Sequence, residues 1–261
     1  MTNDASQYQA PANLLENRII LVTGAGDGIG RTAARTFAAH GATVILLGRT
    51  TAKLEAVYDE IVAAGHPQPA IFPMDLESVG EAEFDALAEG IEKEFGALHG
   101  LVNNASLLGQ RTPIANYRLD VFEKVMRVNV TAMFGLTKAL LPLMEKAEDA
   151  SIIVTGSGVG LKGRAFWGAY AVSKFATEGF MQTLADELDG VSQVRINSIN
   201  PGATRTNMRA AAFPAENPVT VASPEDIMPT YLYLAGPDSK TVNGQQFNAQ
   251  PNRQSGQTDK K

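Results

Sequence analysis

Tyr170 and Lys174 stand four residues apart in the run Tyr170-Ala171-Val172-Ser173-Lys174. On a helix that spacing puts both side chains on one face, one turn apart. A free phenol titrates near pH ~10 and is a poor general base at neutral pH. An ammonium beside it stabilises the phenolate. Ser157 lies thirteen residues earlier, in Gly156-Ser157-Gly158, after the apolar run Ser151–Thr155. A hydroxyl at the end of a parallel strand faces the ligand crevice and can hold a substrate oxygen. Each feature alone is common: an amphipathic helix with one Tyr and one Lys, a loop serine. Together they outline a proton-transfer site.

A second cluster is built for phosphate. Thr23-Gly24-Ala25-Gly26-Asp27-Gly28-Ile29-Gly30 follows the apolar run Ile19–Thr23 and opens a helical pattern. Glycines let the backbone turn tightly against a pyrophosphate, and the helix start supplies free N–H groups and a positive dipole end. No Gly-Lys-Ser/Thr follows, so an ATPase is a poor reading. A methyltransferase could use such a turn, so the turn does not name its ligand. The end of the second strand bears on the ribose. An acid there would bind a 2′-hydroxyl, but the chain has Gly48 followed by Arg49. A guanidinium can hold a 2′-phosphate, so Arg49 favours NADP(H) over NAD(H). Asp27 occupies a place where a second basic residue could have stood. Lowering a phenol by about 3 units takes about 4 kcal/mol, within reach of two close cations in a dry site: an ammonium and an oxidised nicotinamide.

The elements that must position these groups alternate. Strands are expected at Ile19–Thr23, Thr43–Gly48, Ala70–Met74, Gly100–Asn103, Ser151–Thr155, Val194–Ile199 and Gln245–Asn248. Helices are expected over 28–40, 51–64 and 170–188, and two in succession from Asp120 to Val130 and on to Met144. Ser78 with Glu81, and Asp120 with Glu123, have the spacing of capping boxes. Ser223-Pro224-Glu225-Asp226 opens a further helix. Strands alternating with helices argue for an α/β fold: a Rossmann-type doubly wound parallel sheet of about seven strands, helices on both faces, in one domain. That domain is expected to span residues 15–250, after a flexible N-terminal segment (1–14) and before a mobile C-terminal tail (251–261).

Composition narrows the partners. The 261 residues are 44% hydrophobic and 19% charged, with a formal charge of −6 and no cysteine. Disulfides, thiol nucleophiles and cysteine-bound zinc are excluded. The acidic balance argues against nucleic acid and polybasic membrane binding. No apolar run approaches a membrane span, and Met1 to Asn17 does not read as a signal peptide. A cytoplasmic protein is the expectation. The three histidines are scattered, and no metal site is expected.

Taken in order, these motifs resemble those of the short-chain dehydrogenase/reductase family. The likeness runs from about Leu15 to Gln250. Gly24, Gly28 and Gly30 match its TGxxxGxG turn, Asn103-Asn104-Ala105 its NNA motif, and Asn129 its helix asparagine. Ser157, Tyr170 and Lys174 fall on its remaining catalytic positions. Asp75-Leu76 matches the pair at adenine, and Pro201-Gly202 with Thr204 and Thr206 the segment around the nicotinamide. The stretches LLGRT, WGAYAVSKFATEG, NPGATRTNMRA and FNAQP bring it nearer still to one bacterial subgroup. Ser106 replaces the glycine usual after NNA, and Gly156 stands where serine is frequent.

The resemblance implies roles. Tyr170 would exchange the proton with the carbonyl or alcohol oxygen, and Ser157 would orient that oxygen. Lys174 would hold the ribose and lower the Tyr pKa, and Asn129 would anchor a relaying water. It also implies a homodimer or homotetramer. The substrate pocket should draw on residues 107–112, 159–168 and 205–221, with Phe166 and Trp167 as an apolar wall or as packing. Residues 204–221 read as a long loop able to act as a lid. Arg164, Arg205 and Arg209 read as solvated, an anionic substrate being the alternative. A non-catalytic NADP(H)-sensing module is the competing function; it would have no need of the Tyr–Lys pair.

Overall fold

Strands covered on both faces should be apolar throughout, and this rule sets the architecture. In the computed structural model, which describes residues 4–251, the strands are β1 (Ile19–Thr23), β2 (Thr43–Gly48), β3 (Ala70–Pro73), β4 (Gly100–Asn103), β5 (Ala150–Thr155), β6 (Val194–Asn200) and β7 (Gln246–Asn248). They form one parallel sheet in the order β3-β2-β1-β4-β5-β6-β7. Successive side chains point to opposite faces. Leu21, Ile45 and Leu101 therefore face one core layer, and Ile20, Val44 and Val102 the other.

The helices are α1 (Gly28–Ala39), α2 (Thr51–Ala63), α3 (Glu81–Phe95), α4 (Leu119–Met126), α5 (Ala132–Met144), α6 (Gly168–Leu188), α7 (Asn207–Ala212) and α8 (Met228–Ala235). Leu87, Leu136 and Leu184 of α3, α5 and α6 fill the first layer; Phe37, Leu54 and Tyr231 of α1, α2 and α8 fill the second. Each fully buried Leu or Phe of this kind stabilises the fold by about 1.5–3 kcal/mol. At the end of the sheet away from the strand C-termini, Arg18 and Arg195 both pair with buried Asp149 and tie β1, β5 and β6 together.

Several helix starts differ from the sequence expectation. Gly80, not Ser78, precedes α3, and Glu83 reaches back to accept from its N–H at 2.9 Å. Arg118 precedes α4, and Asp120 is spent on an ion pair with Arg118 instead of capping. Between α4 and α5 the chain makes a wide π-type turn, Arg127–Thr131, rather than a clean break. Residues 204–221 are not one long loop: Thr206 caps α7 by accepting from the N–H of Arg209 at 3.1 Å.

In the N-terminal segment, expected to be flexible, anchored residues alternate with exposed ones such as Asp4, Gln7 and Gln9. Ala5 is buried, Tyr8 donates to Asp238 at 2.7 Å, and its ring meets Tyr233 edge-on. The expected C-terminal tail lies outside the described residues, apart from Pro251. No helix among the described residues is long and apolar enough to cross a membrane.

Candidate active site

The sheet order reverses between β1 and β4, and a parallel sheet leaves a crevice outside the strand ends at such a point. Thr23, the last residue of β1, organises it. Its hydroxyl donates to the carbonyl of Val102 and accepts from the N–H groups of Asn104 and Ala105 at 2.9 and 3.0 Å. The side-chain amide of Asn104 donates to the carbonyl of Thr23 at 3.1 Å. β1 and β4 are thereby locked edge to edge where the glycine turn begins.

The turn needs its glycines. Gly24 and Gly28 have φ of 68° and 51°, a region L side chains rarely adopt. A Cβ on Gly30 would overlap the carbonyl oxygen of Gly24 and stand 2.6 Å from the Asn104 amide. Asp27 caps α1, accepting from the N–H of Gly28 at 2.7 Å. Its other oxygen takes Lys53 at 2.8 Å and Asn207 at 2.9 Å. The Lys53 ammonium holds the Asp27 carboxyl below the usual carboxylate range.

A cavity of about 460 Å³ runs from this turn across the strand ends. Gly24, Asp27, Gly28 and Ile29 line its start, and Arg49, Asp75 and Leu76 one end. Ala105, Pro201, Gly202, Thr204 and Thr206 line its length, and Ser157, Tyr170 and Lys174 face its other end. Three expected site residues lie off this wall. Gly30 sits behind the turn, where its lack of a side chain lets α1 approach. Asn103 points to the opposite face of β4 and donates to Thr137 at 3.0 Å. Asn129 is buried and clamps the backbone of Leu107, accepting from its N–H at 2.7 Å and donating to its carbonyl at 3.0 Å. Asn129 and Lys174 do share a second, small cavity of about 10 Å³, at the lower limit for one water.

Some contributors escaped sequence reading. Asn104, not Asn103, faces the crevice, because neighbouring strand residues alternate sides. The doubled asparagine was the signal; the register that separates the two is tertiary. Lys53 adds a second cation beside Arg49. Thr155 receives the Lys174 ammonium on its carbonyl at 2.7 Å. Trp167 lines the cavity, whereas Phe166 is exposed with φ of 71°.

The Ser157 hydroxyl is near enough to the Tyr170 phenol to favour its charged form, and the Lys174 nitrogen lies 5.6 Å from the centre of the Tyr170 ring. The expected acidification of the phenol is not what these residues produce. Burial raises Tyr170 to about 12, against a smaller lowering by Ser157. Burial also lowers Lys174 to about 8, opposed by the nearby Glu178 carboxylate. Desolvation disfavours both charged forms, and it outweighs the neighbouring charges here. At neutral pH the chain alone therefore presents a neutral phenol beside an ammonium: a proton donor already loaded. Among the described residues no cluster of three or more His, Asp or Glu side chains is arranged to hold a metal.

A glycine turn at the switch point of a seven-stranded parallel sheet, with Ser, Tyr and Lys converging beside it, defines a dinucleotide-type site. Residues 18–217 match the family model for short chain dehydrogenases, and the chain belongs to that family. It is 51% identical over 249 residues to an uncharacterized oxidoreductase, YciK, of Escherichia coli K12, covering 95% of this chain and 98% of that protein. A short chain dehydrogenase of Shigella flexneri complexed with NADP superposes with a TM-score of 0.90 at 51% identity, over 92% of this chain and 100% of the other. A short chain dehydrogenase of Escherichia coli CFT073 complexed with NADPH gives the same score, identity and coverage. The bacterial subgroup suggested by the sequence stretches is therefore the YciK-like one.

Proposed function

We propose that this protein is an NADP(H)-dependent oxidoreductase that moves hydride between the nicotinamide and a carbonyl or alcohol carbon, with Tyr170 as general acid/base. The observation that carries the reading is the convergence of Ser157, Tyr170 and Lys174 on a single cavity that begins at the glycine turn. The residues fit a dinucleotide. The backbone of the turn forms a cradle that a Cβ would fill: one on Gly24 would stand 3.1 Å from Asn104, and one on Gly28 3.2 Å from Thr206. Arg49 and Lys53 suit a 2′-phosphate at the far end, and Arg49 has no carboxylate partner among the described residues. The NADP and NADPH complexes of the two neighbours support the same choice.

When bound, the nicotinamide supplies the hydride and, oxidised, a positive charge. The chain supplies the proton and the geometry. In reduction, Tyr170 donates from its neutral hydroxyl to the carbonyl oxygen, which Ser157 also engages. Lys174, anchored on Thr155, keeps an ammonium beside the phenol as that proton leaves. The Tyr170 phenolate left behind must then regain a proton from solvent, and the small cavity shared by Asn129 and Lys174 has room for one water on such a route. In oxidation Tyr170 must start as phenolate, and its buried setting opposes that form. The positive charge of the oxidised nicotinamide would offset that opposition.

Tyr170→Phe tests the reading against its alternative, an NADP(H)-sensing module. We expect NADPH oxidation, followed at the nicotinamide absorbance over a panel of ketones, aldehydes and quinones, to disappear in the variant while NADPH still raises its melting temperature. Full turnover in Tyr170→Phe overturns the assignment.

A further inference from the structure

The charged residues around the cavity are not evenly spread. Its acidic lining residues, Asp27, Asp75 and Glu77, all sit at the glycine-turn and far-strand end. The end beyond Tyr170 and Ser157 has no carboxylate in its lining; it has Leu108, Trp167, Met208, Ala212 and one cation, Arg209. Arg209 is already neutralised by a two-pronged bond to Glu216, 2.6 Å on one arm, and its guanidinium lies 3.8 Å from the centre of the Phe213 ring.

A second guanidinium lies outside this lining, packed against two of its residues, Trp167 and Ala212, and is not neutralised. Arg111 lies 4.1 Å above the centre of the Trp167 ring and 5.2 Å from that of Phe213. It donates one hydrogen bond, to the carbonyl of Ala212 at 3.0 Å. Its Nε is buried and donates none, and no carboxylate lies within ion-pair distance of it among the described residues. Burial and the nearby guanidiniums of Arg164 and Arg209 all press against its charge. A half-buried cation stacked on an aromatic, short of acceptors and flanked by like charge, is held at a cost to the fold. An anion at that rim would relieve the shortage, and the flat guanidinium suits a carboxylate bidentately.

We propose that the substrate carries a carboxylate-type anion at the end remote from its carbonyl, joined by an apolar body, and that Arg111 receives it. In this arrangement the apolar body runs along Leu108, Trp167 and Met208, which line the cavity with Tyr170, and the anion passes the Trp167 ring to reach Arg111 outside the lining. The inference rests on the reading of this cavity as the oxidoreductase site and adds the substrate's chemical class. Its residues come from three separate segments: Arg111 from the strip after β4, Trp167 from the start of α6, and Met208, Ala212 and Phe213 from the α7 region.

Trp167 is the sole tryptophan of the chain, so its emission reports on this rim directly. The test titrates the protein, saturated with NADP⁺, with hexanoate and with its uncharged counterpart hexanamide at constant ionic strength. Hexanoate should perturb Trp167 emission saturably and bind at least about tenfold tighter than hexanamide, the size expected for one charge-assisted hydrogen-bonding pair. Arg111→Met should bring the two ligands to parity, and Arg111→Lys should keep part of the preference. Equal binding of the two by the unaltered protein, no saturable response to either, or a preference that survives Arg111→Met overturns the proposal. NADP⁺-induced thermal stabilisation, measured on the same samples, reports folding and dinucleotide binding separately. A failure confined to the emission arm therefore strikes the anion site alone, whereas lost stabilisation by NADP⁺ strikes the underlying reading.

Discussion

The Lys174 nitrogen donates to the backbone carbonyl of Thr155 at 2.7 Å, one residue before the Gly156-Ser157 pair. The bond fixes the ammonium at the end of β5 while α6 carries Tyr170 one turn earlier. Holding it there is costly, since burial lowers Lys174 from 10.5 to about 8. Between those two values the unfolded chain binds a proton that the folded protein does not. Stability must therefore rise with pH from about 8 to about 10.5, with the full penalty present below 8. Relative to Lys174→Met, the unaltered protein should gain roughly 3 kcal/mol of unfolding free energy across that window. Urea denaturation of the two at pH 7, 8, 9 and 10.5 measures it. Parallel curves would remove the buried-ammonium account.

Arg49 and Lys53 line one end of the cavity, and Lys53 is partly neutralised by Asp27. Arg49 therefore carries most of any preference for a 2′-phosphate. Arg49→Glu places a carboxylate where that phosphate would lie. NADPH affinity should fall by about a hundredfold or more, while NADH affinity changes by less than about threefold, since repulsion and a lost charged pair together exceed 2.7 kcal/mol. Isothermal titration with each dinucleotide decides this. An equal loss for both would mean that Arg49 supports the adenosine pocket without reading the phosphate.

Much of this site is legible in the chain because its parts obey local rules. β1, β2 and β4 fall on the same residues in sequence and in space, since a both-faces-buried strand is a plain apolar run ending at glycine or asparagine. The Tyr170–Lys174 spacing survives for a similar reason, being one turn of one helix. What the sequence concealed depends on partners far along the chain. Asp120 has the spacing of a cap, but Arg118 claims it. Asn129 reads as a helix residue, but a wide turn swings it onto Leu107, twenty-two residues earlier. The phenol's pKa depends on how deeply α6 is buried, which no motif states. Arg111 has no motif at all; only the meeting of three segments gives it Trp167 to lie on.

Ser106 lies in the cavity lining with a buried hydroxyl oxygen that makes no hydrogen bond among the described residues. A desolvated, unpaired hydroxyl costs stability, and removing it costs nothing in lost bonds. Ser106→Ala should leave the protein as stable or up to about 1 kcal/mol more stable. If the hydroxyl is kept for the dinucleotide, NADPH affinity should fall several-fold in the same variant. Thermal melting with and without NADPH reads both effects. A destabilised variant with unchanged affinity would contradict the argument on both counts.

Gly156 and Glu178 share one volume. A Cβ on Gly156 would overlap Glu178 Oε1, while Glu178 Oε2 is fixed by the Ser198 hydroxyl at 2.7 Å. Glu178 is buried one turn beyond Lys174, and burial raises its carboxyl above the usual range. The carboxylate thus occupies the place that a larger residue before Ser157 would take. Gly156→Ala should cost about 1–3 kcal/mol, because Glu178 cannot move without losing Ser198. In a Glu178→Ala background the space is free, and the same substitution should cost much less. The double-mutant cycle should therefore show a coupling of at least about 1 kcal/mol, well beyond the 0.3–0.5 kcal/mol scatter of independent sites. Glu178→Gln keeps the shape without the charge, so Gly156→Ala should remain costly beside it. Additive penalties in the cycle, or relief by Glu178→Gln as complete as by Glu178→Ala, would show that the two positions do not compete for space.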